Sequence, residues 1–230
     1  VLVIGDSCTD KFVYGTCDRL SPEAPVPVLK HTLTKQMPGM AGNGVENIRA
    51  FSSHVELLTQ INEITKTRYV DSKSNQHIMR FDTEPASNRQ HDVFLANGKH
   101  AHAAAAGDYD VVIVSDYNKG FIMDRQAVSL TSRMNQPVYV DSKKSDISCF
   151  KNSIIKLNQK EFEIAGKSID DTSTIIKTLG SRGASCNGSI YPSFPVEVFD
   201  VSGAGDTFLA SFSTYHSITG NIRESIIFAN

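Results

Sequence analysis

Val198-Phe199-Asp200-Val201-Ser202-Gly203-Ala204-Gly205-Asp206-Thr207-Phe208 is the stretch from which the rest of the chain is read. Val196, Val198 and Phe199 form a β-branched and aromatic run that predicts a strand. Two glycines then permit a tight turn, and Asp206-Thr207 opens the run Phe208-Leu209-Ala210-Ser211-Phe212, which predicts a helix. A strand that feeds a glycine turn into a helix N-terminus presents free backbone N–H groups at the positive end of the helix dipole, a site that commonly takes phosphate. An aspartate there would repel a phosphate. Two readings of Asp206 therefore stand side by side: a helix N-cap after a glycine turn, or a carboxylate that takes a proton from a hydroxyl attacking the phosphate.

Other phosphate motifs are excluded. No G-x-x-x-x-G-K-[ST] occurs, so the chain is not a P-loop protein. Gly203-x-Gly205 resembles the start of a dinucleotide fingerprint, but Phe208 stands at its third glycine position, which argues against a Rossmann dehydrogenase. The 230 residues suffice for one α/β domain with a sizeable core. The 23 basic and 25 acidic residues nearly balance with no basic block, so nucleic acid is not favoured as a partner. No apolar run is long enough to span a bilayer. Cys8, Cys17, Cys149 and Cys186 are scattered without a C-x-x-C pair and predict reduced thiols in a cytoplasmic protein. His100-Ala-His102 sits in an alanine-rich run and predicts a solvent-facing helix rather than a metal pair. Val1 lies inside an apolar run and Asn230 inside a helical pattern, so the chain reads as a piece of a longer one.

In chain order, Val1-Leu2-Val3-Ile4 predicts a buried parallel strand whose carboxyl end carries Gly5-Asp6 and places Asp6 and Asp10 near a site. Lys11–Gly15 and Pro25–Lys30 predict a hairpin-like excursion, with prolines suited to an edge. Pro38-Gly39-Met40-Ala41-Gly42-Asn43-Gly44 predicts a glycine-rich turn before a helix at Val45–Phe51. That turn is read either as a plain turn or as backbone approaching a polar ligand, with the Asn43 amide on its hydroxyls. Val55–Leu58 predicts a strand, and Thr65–Val70 with Gln76–Phe81 an exposed pair joined to the earlier excursion in one small sheet. Strand, polar tip and helix then recur through Val111–Val114, Asp124–Met134, Val138–Asp141, Ile154-Ile155, Asn158–Glu161 and Thr174–Thr178, the mark of a doubly wound parallel sheet.

Four patterns in order, the Gly39/Gly42-Asn43 turn, Asn158-x-x-Glu161, Thr178-Leu179-Gly180-x-x-Gly183 and Gly203-Ala204-Gly205-Asp206, make the chain resemble the ribokinase-like (PfkB) carbohydrate kinases. Gly5-Asp6 with Asp10, the run Arg19–Val28, and Ser115-Asp116-Tyr117-Asn118-Lys119-Gly120 resemble the D-glycero-β-D-manno-heptose-7-phosphate kinase group, which includes the kinase domain of bifunctional heptose kinase/adenylyltransferases. The resemblance implies a three-layer α/β/α sandwich, one kinase domain over residues 1–230, with a small β-sheet lid at about 11–37 and 64–82. It also implies ATP with Mg²⁺, a monovalent cation as a further requirement, and transfer of the γ-phosphoryl group to a sugar hydroxyl. By position Asp206 resembles the family's catalytic base, and the amides at Gly203, Ala204, Gly205 and Asp206 its anion hole. Asn158 and Glu161 resemble the group that organises Mg²⁺ and the ATP phosphates. Thr178, Gly180 and Gly183 fall on the nucleotide loop. Asp10, Gly39, Gly42 and Asn43 match sugar-hydroxyl ligands, with Asp116 a weaker candidate. The partners expected are a sugar phosphate and ATP, with nucleic acid and membrane disfavoured by the composition above, and a second copy docked through the lid is a further candidate.

The chain also departs from the family. Met40 stands where many members carry the second glycine of a pair, and the links Gln60–Ile64 and Gly166–Thr174 are shorter than usual. An acceptor that already carries a phosphate needs a basic clamp, for which Arg19, Arg68, Arg80 and Lys119 are candidates. The alternatives are a kinase for another sugar and a non-catalytic ligand-binding homologue.

Overall fold

The computed structural model describes residues 1–85, 108–195 and 203–230. The predicted strand at Val196–Phe199 and the His100/His102 run lie outside the described residues. Eight strands form the main sheet. From β4 (Glu56–Leu58) through β1 (Leu2–Gly5), β7 (Val112–Asp116), β8 (Val138–Ser142) and β9 (Ser153–Asn158) to β10 (Thr174–Thr178) the pairing is parallel. The short β11 (Ala184–Cys186) and β12 (Ser189–Tyr191) close that edge antiparallel, giving the order β12-β11-β10-β9-β8-β7-β1-β4.

Alternating residues of the parallel strands point to opposite faces, and both faces are covered, which is why the strands read as nearly unbroken apolar runs. Leu2, Ile4, Val112 and Val114 pack with Ala127 and Leu130 of α2 (Asp124–Thr131) and with Ala165 of α3 (Gln159–Ala165). On the other face Val3, Ile113, Tyr139 and Ile154 pack against α1 (Ala41–Arg49), α4 (Ala204–Thr219) and α5 (Ile222–Ala229) through Val45, Ile48, Phe212 and Ile226. This is the expected α/β/α sandwich. No helix among the described residues is long and apolar enough to cross a membrane.

A second, four-stranded sheet forms the lid. One residue after β1 the chain enters β2 (Ser7–Thr16), returns along β3 (Lys30–Met40), and later adds β5 (Thr65–Asp71) and β6 (His77–Thr83), in the order β3-β2-β5-β6. Two local expectations change. The returning strand begins at Lys30, not Pro25, because Pro25 and Pro27 have no N–H for a ladder and the loop makes only the isolated bridge Leu20–Pro27. The glycine-rich turn is also absent: Pro38, Gly39 and Met40 complete β3, and α1 starts at the next residue. That abrupt passage needs Met40 in the left-handed region at φ 56°, a conformation that glycine favours and the buried methionine adopts here. The short link after β4 is held by Gln60, whose side chain accepts from the Ser7 N–H at 3.0 Å and donates to the Ser7 carbonyl at 2.6 Å.

The strand order turns back at β1, with β4 on one side and β7 on the other, so the crevice at their carboxyl ends is the place where ligands of such sheets bind. Two fully buried carboxylates shape it. Asp6 accepts from the N–H groups of Lys119 at 3.2 Å and Phe121 at 3.3 Å. Asp116 accepts from the Asn118 N–H and from Ser142 Oγ, each at 2.9 Å. Together they wrap the segment Tyr117–Phe121 over the sheet edge.

Burial pushes the Asp116 carboxyl up to about 6 from its ordinary 3.8, only partly opposed by Lys144 and its two hydrogen bonds. A raised carboxyl binds its proton more tightly in the folded than in the unfolded chain. This contribution is therefore fully present below about pH 4 and is lost as the pH rises through about 6. Asp116→Asn keeps an acceptor for Asn118 and a donor for Ser142 without a titrating group. Denaturant unfolding at stepped pH should show the wild type losing up to ~3 kcal/mol relative to this variant between about pH 4 and 7. A difference that stays flat across that range would remove Asp116 as the cause.

Candidate active site

The helix α4 begins at Ala204, with Gly203 as its N-cap in the left-handed region at φ 81° and no side chain capping the first turn. The first N–H bond back into the turn is Thr207 N–H to the Gly203 carbonyl at 2.9 Å. The amides of Ala204, Gly205 and Asp206 thus have no acceptor inside the helix and form its positive end. Asp206 does not cap the helix. Its carboxylate turns outward, where Oδ2 accepts from Asn43 Nδ2 at 2.7 Å and Oδ1 from the Tyr117 hydroxyl at 3.3 Å. The three residues come from α1, the tip of β7 and α4, so the arrangement exists only in the folded chain. Burial, reinforced by the charge of Asp141, raises the Asp206 pKa above its usual value, against Asn43, Lys156 and Tyr117, which lower it.

From Asp206 a cleft of about 570 Å³ runs across the carboxyl ends of the parallel strands, past Gly203 and Gly205, Lys156 and Asn158, to Thr178 and Gly180. Lys156 is the main residue that sequence reasoning missed. It lies near the end of β9, 4% exposed, and its ammonium is bonded to the buried carboxylate of Asp141 on β8. A Cβ on Gly205 would stand 2.9 Å from Lys156 Nζ, so glycine at this position lets the ammonium come up against the start of α4. Lys143 bonds the other Asp141 oxygen at 2.8 Å and also the Glu161 carboxylate. Burial alone would raise Asp141, but Lys156 and Lys143 outweigh it and hold the carboxyl below its ordinary range. A signal for this lysine exists in the sequence: within Ile154-Ile155-Lys156-Leu157 it breaks an otherwise apolar buried strand.

Asn158-x-x-Glu161 is a reciprocal capping box. The Glu161 N–H donates to Asn158 Oδ1 at 2.9 Å, and the Asn158 N–H to Glu161 Oε2 at 2.7 Å. The cap fixes Asn158 at the cleft, whereas Glu161 does not itself line it and reaches it through Lys143, which joins Glu161 to Asp141. Thr178 and Gly180 line the same cleft, whereas Gly183 does not. A Cβ at Gly183 would lie 2.0 Å from the Tyr191 carbonyl, so that glycine serves the close approach of β12. Among the described residues no three His, Cys, Asp or Glu side chains converge as a metal site made by the protein alone.

The sugar-side candidates divide. Asn43 reaches Asp206. Asp10 lies on the lid, ion-paired with Arg68, and the lid backbone passes so close that a Cβ at Gly39 would fall 2.1 Å from Asp10 Oδ2. Gly42 is buried in α1 against Pro38. Asp116 is turned away from the cleft, with its oxygens bound to Ser142 and Asn118, and the neighbouring Tyr117 faces the cleft instead. In the lid register Asp10 stands directly opposite Lys66, and Phe12 opposite Arg68, which pairs with Arg80. Period two puts Asp10, Lys66, Arg68 and Arg80 on one face of that sheet. The Lys66 ammonium lies 5.6 Å from the centre of the Tyr117 ring, so this face is turned toward the cleft. Arg80 makes a two-pronged bond to Asp82, Lys119 pairs with Glu84 at 2.6 Å, and Arg19 is exposed in the loop between β2 and β3.

Among solved structures, a phosphofructokinase-2 mutant from Escherichia coli superposes with a TM-score of 0.75 at 15% identity, covering 100% of this chain and 90% of that one. A ribokinase from Thermotoga maritima superposes with a TM-score of 0.71 at 16% identity, covering 99% and 89%. These show the fold. Among curated proteins, the bifunctional protein HldE of a Nitratiruptor species is 28% identical over 278 aligned positions, covering 100% of this chain and 59% of that protein. The protein of that name from Mesorhizobium japonicum is 32% identical over 265 positions, covering 93% of this chain and 53% of that protein. The chain therefore spans somewhat more than half of the relatives it matches. The 278 aligned positions exceed its 230 residues, so the first relative carries residues this chain lacks. Residues 51–230, which run from just after α1 to the last residue and include the whole cleft, match the pfkB family carbohydrate kinase domain, and the chain belongs to that family.

Proposed function

We propose that this chain is the kinase part of a heptose-activating protein, transferring the γ-phosphoryl group of MgATP to the anomeric hydroxyl of D-glycero-β-D-manno-heptose 7-phosphate. The observation that carries the reading is the position of Asp206, a partly buried carboxylate at an uncapped helix N-terminus, between the strand-end cleft and the lid. ATP occupies the cleft along Asn158, Thr178 and Gly180. Glu161 and Asn158 act on Mg²⁺ through its water shell, the metal entering as part of the nucleotide substrate. Asp206 takes the proton of the acceptor hydroxyl as its oxygen bonds to the γ-phosphorus. The bond from that phosphorus to the bridging oxygen breaks, and ADP leaves. The raised pKa of Asp206 suits a base.

Phosphoryl transfer is loose, so most of the acceleration comes from placement and from charge aimed at the moving group. The amides of Ala204, Gly205 and Asp206 with the Lys156 ammonium supply that charge, each such donor contributing about 10²–10³ in rate. Asp206 as base adds roughly 10²–10⁴. The relatives named HldE favour a heptose as acceptor, and the lid-face cations Lys66, Arg68 and Arg80, the last two now paired with Asp10 and Asp82, favour one whose phosphate takes over those pairings. Asp10, held over Gly39, and Asn43 are the hydroxyl ligands.

Coupled ADP-release assays on the full-length protein should give turnover with heptose 7-phosphate and little with the free sugar. Turnover confined to unphosphorylated sugars would overturn the acceptor, and no turnover with any sugar would make the chain a non-catalytic binder. Asp206→Asn should abolish turnover while calorimetric ATP binding persists; an unchanged rate excludes Asp206 as the base. Gly205→Ala is a finer probe. Alanine favours the helix by up to ~1 kcal/mol and its Cβ need only push the tip of Lys156 back while the pair with Asp141 stays closed, so the melting temperature should hold, yet the ammonium leaves the helix end and kcat should fall about 10²-fold.

A further inference from the structure

We propose that Tyr117 is a positioning residue for the Asp206 carboxylate, holding one of its oxygens while its own ring is clamped between the roots of the lid and the nucleotide cleft. The base assignment of Asp206 is the reading on which this rests. The hydroxyl donates to Asp206 Oδ1 at 3.3 Å, opposite the Asn43 amide on Oδ2. With both oxygens held, the carboxylate cannot rotate about its Cβ–Cγ bond, and each oxygen keeps a lone pair for the acceptor proton. The ring is fixed from several sides. It packs on Cys8, Met40 and Ile64, which are the residues where β2 leaves, β3 returns and β5 begins. The ammonium groups of Lys66, from the lid, and Lys143, from the cleft, each lie 5.6 Å from its centre. Below it, Asp6 and Asp116 tie down the segment that carries it.

The electrostatic surroundings define what the hydroxyl does. Asp206 faces Asp141 from β8, which disfavours its charge, and Lys156 from β9, Asn43 from α1 and Tyr117, which favour it. Tyr117 itself faces Asp206, Asp141 and Cys8, and with burial these keep its phenol protonated far above the working range, so it acts as a donor at any relevant pH. Removing the hydroxyl takes away one stabiliser of the Asp206 anion and leaves the ring, its packing and both lysine contacts in place.

The test is Tyr117→Phe in the full chain, with two readouts. The first needs no acceptor: ¹³C NMR of Asp carboxyl groups, with the Asp206 signal identified by its loss in Asp206→Asn. Tyr117→Phe should move that titration to higher pH, and an unmoved titration overturns the proposal. The second is kinetic: kcat falls about 10–100-fold, the scale of a lost hydrogen bond to a charged group, and the acidic limb of kcat/KM moves up with the titration, while KM for ATP stays within about twofold. Wild-type kcat with an unmoved limb overturns the proposal even where Asp206→Asn is inactive. Full turnover by Asp206→Asn overturns both the base and Tyr117 as its positioning residue. A wrong acceptor shows only as absent turnover and leaves the NMR readout to decide.

Discussion

The buried pair of Lys156 and Asp141 is the interaction on which the site depends. Neither charge is stable alone beneath a helix in a sheet interior, since an unpaired buried ion costs several kcal/mol. They face each other from adjacent parallel strands, and Lys143 completes the second oxygen of Asp141. The consequence is directional. Asp141 anchors Lys156 so that its ammonium stands against the first turn of α4, where Gly205 leaves room. Positive charge from the helix end and from the side chain then converges on one point. A buried ion pair is weak evidence of stability, and here its geometry is better explained by the charge it aims at the cleft.

The lid is joined to this centre with little intervening chain. Only Asp6 separates β1 from β2, and nothing separates β3 from α1, so two of the connections between lid and sandwich lie side by side, where Ser7 pairs with Met40. The left-handed backbone of Met40 carries strain of order 1–3 kcal/mol for a residue with a side chain. It is held by a buried side chain packed with Cys8 and Ile64 and by the Ala41 N–H bond to the Asp6 carbonyl at 2.9 Å. Asn43, in the first turn of α1, meets Asp206 because of that junction. Gly39, one residue before it, lets the lid backbone pass beneath Asp10. Asn43 and Gly39, and through Gly39 the place of Asp10, are thus set by one backbone corner.

What is legible in the sequence is local or periodic. The parallel strands stand out as apolar runs with polar tips, because both faces of the sheet are covered. Asn158-x-x-Glu161 is legible because a capping box closes within a single turn. Proline chemistry suggests an edge strand over Pro25–Lys30, whereas the region before Lys30 makes only the isolated bridge Leu20–Pro27. The Pro38–Gly44 stretch misleads because Gly39 and Gly42 are needed for close approach by Asp10 and Pro38, not for reversing the chain.

Asp116 and Tyr117 mark the limit. Their segment reads as a strand tip near a ligand, and adjacent residues on such a tip face opposite ways. Which one faces inward depends on Ser142 and on the lid, neither of which is near in sequence. The same holds for Asp206, where a helix cap cannot be told from an outward-facing carboxylate until Asn43 and Tyr117 are seen on its oxygens. The layers, the order of the phosphate-handling turns and the family likeness are written in the sequence alone, since these follow from hydrophobic period and short-range backbone chemistry. That the carboxylate of the aspartate after the glycine turn faces outward to Asn43 and Tyr117 is a matter of tertiary structure, because these partners come from other elements brought to it by packing.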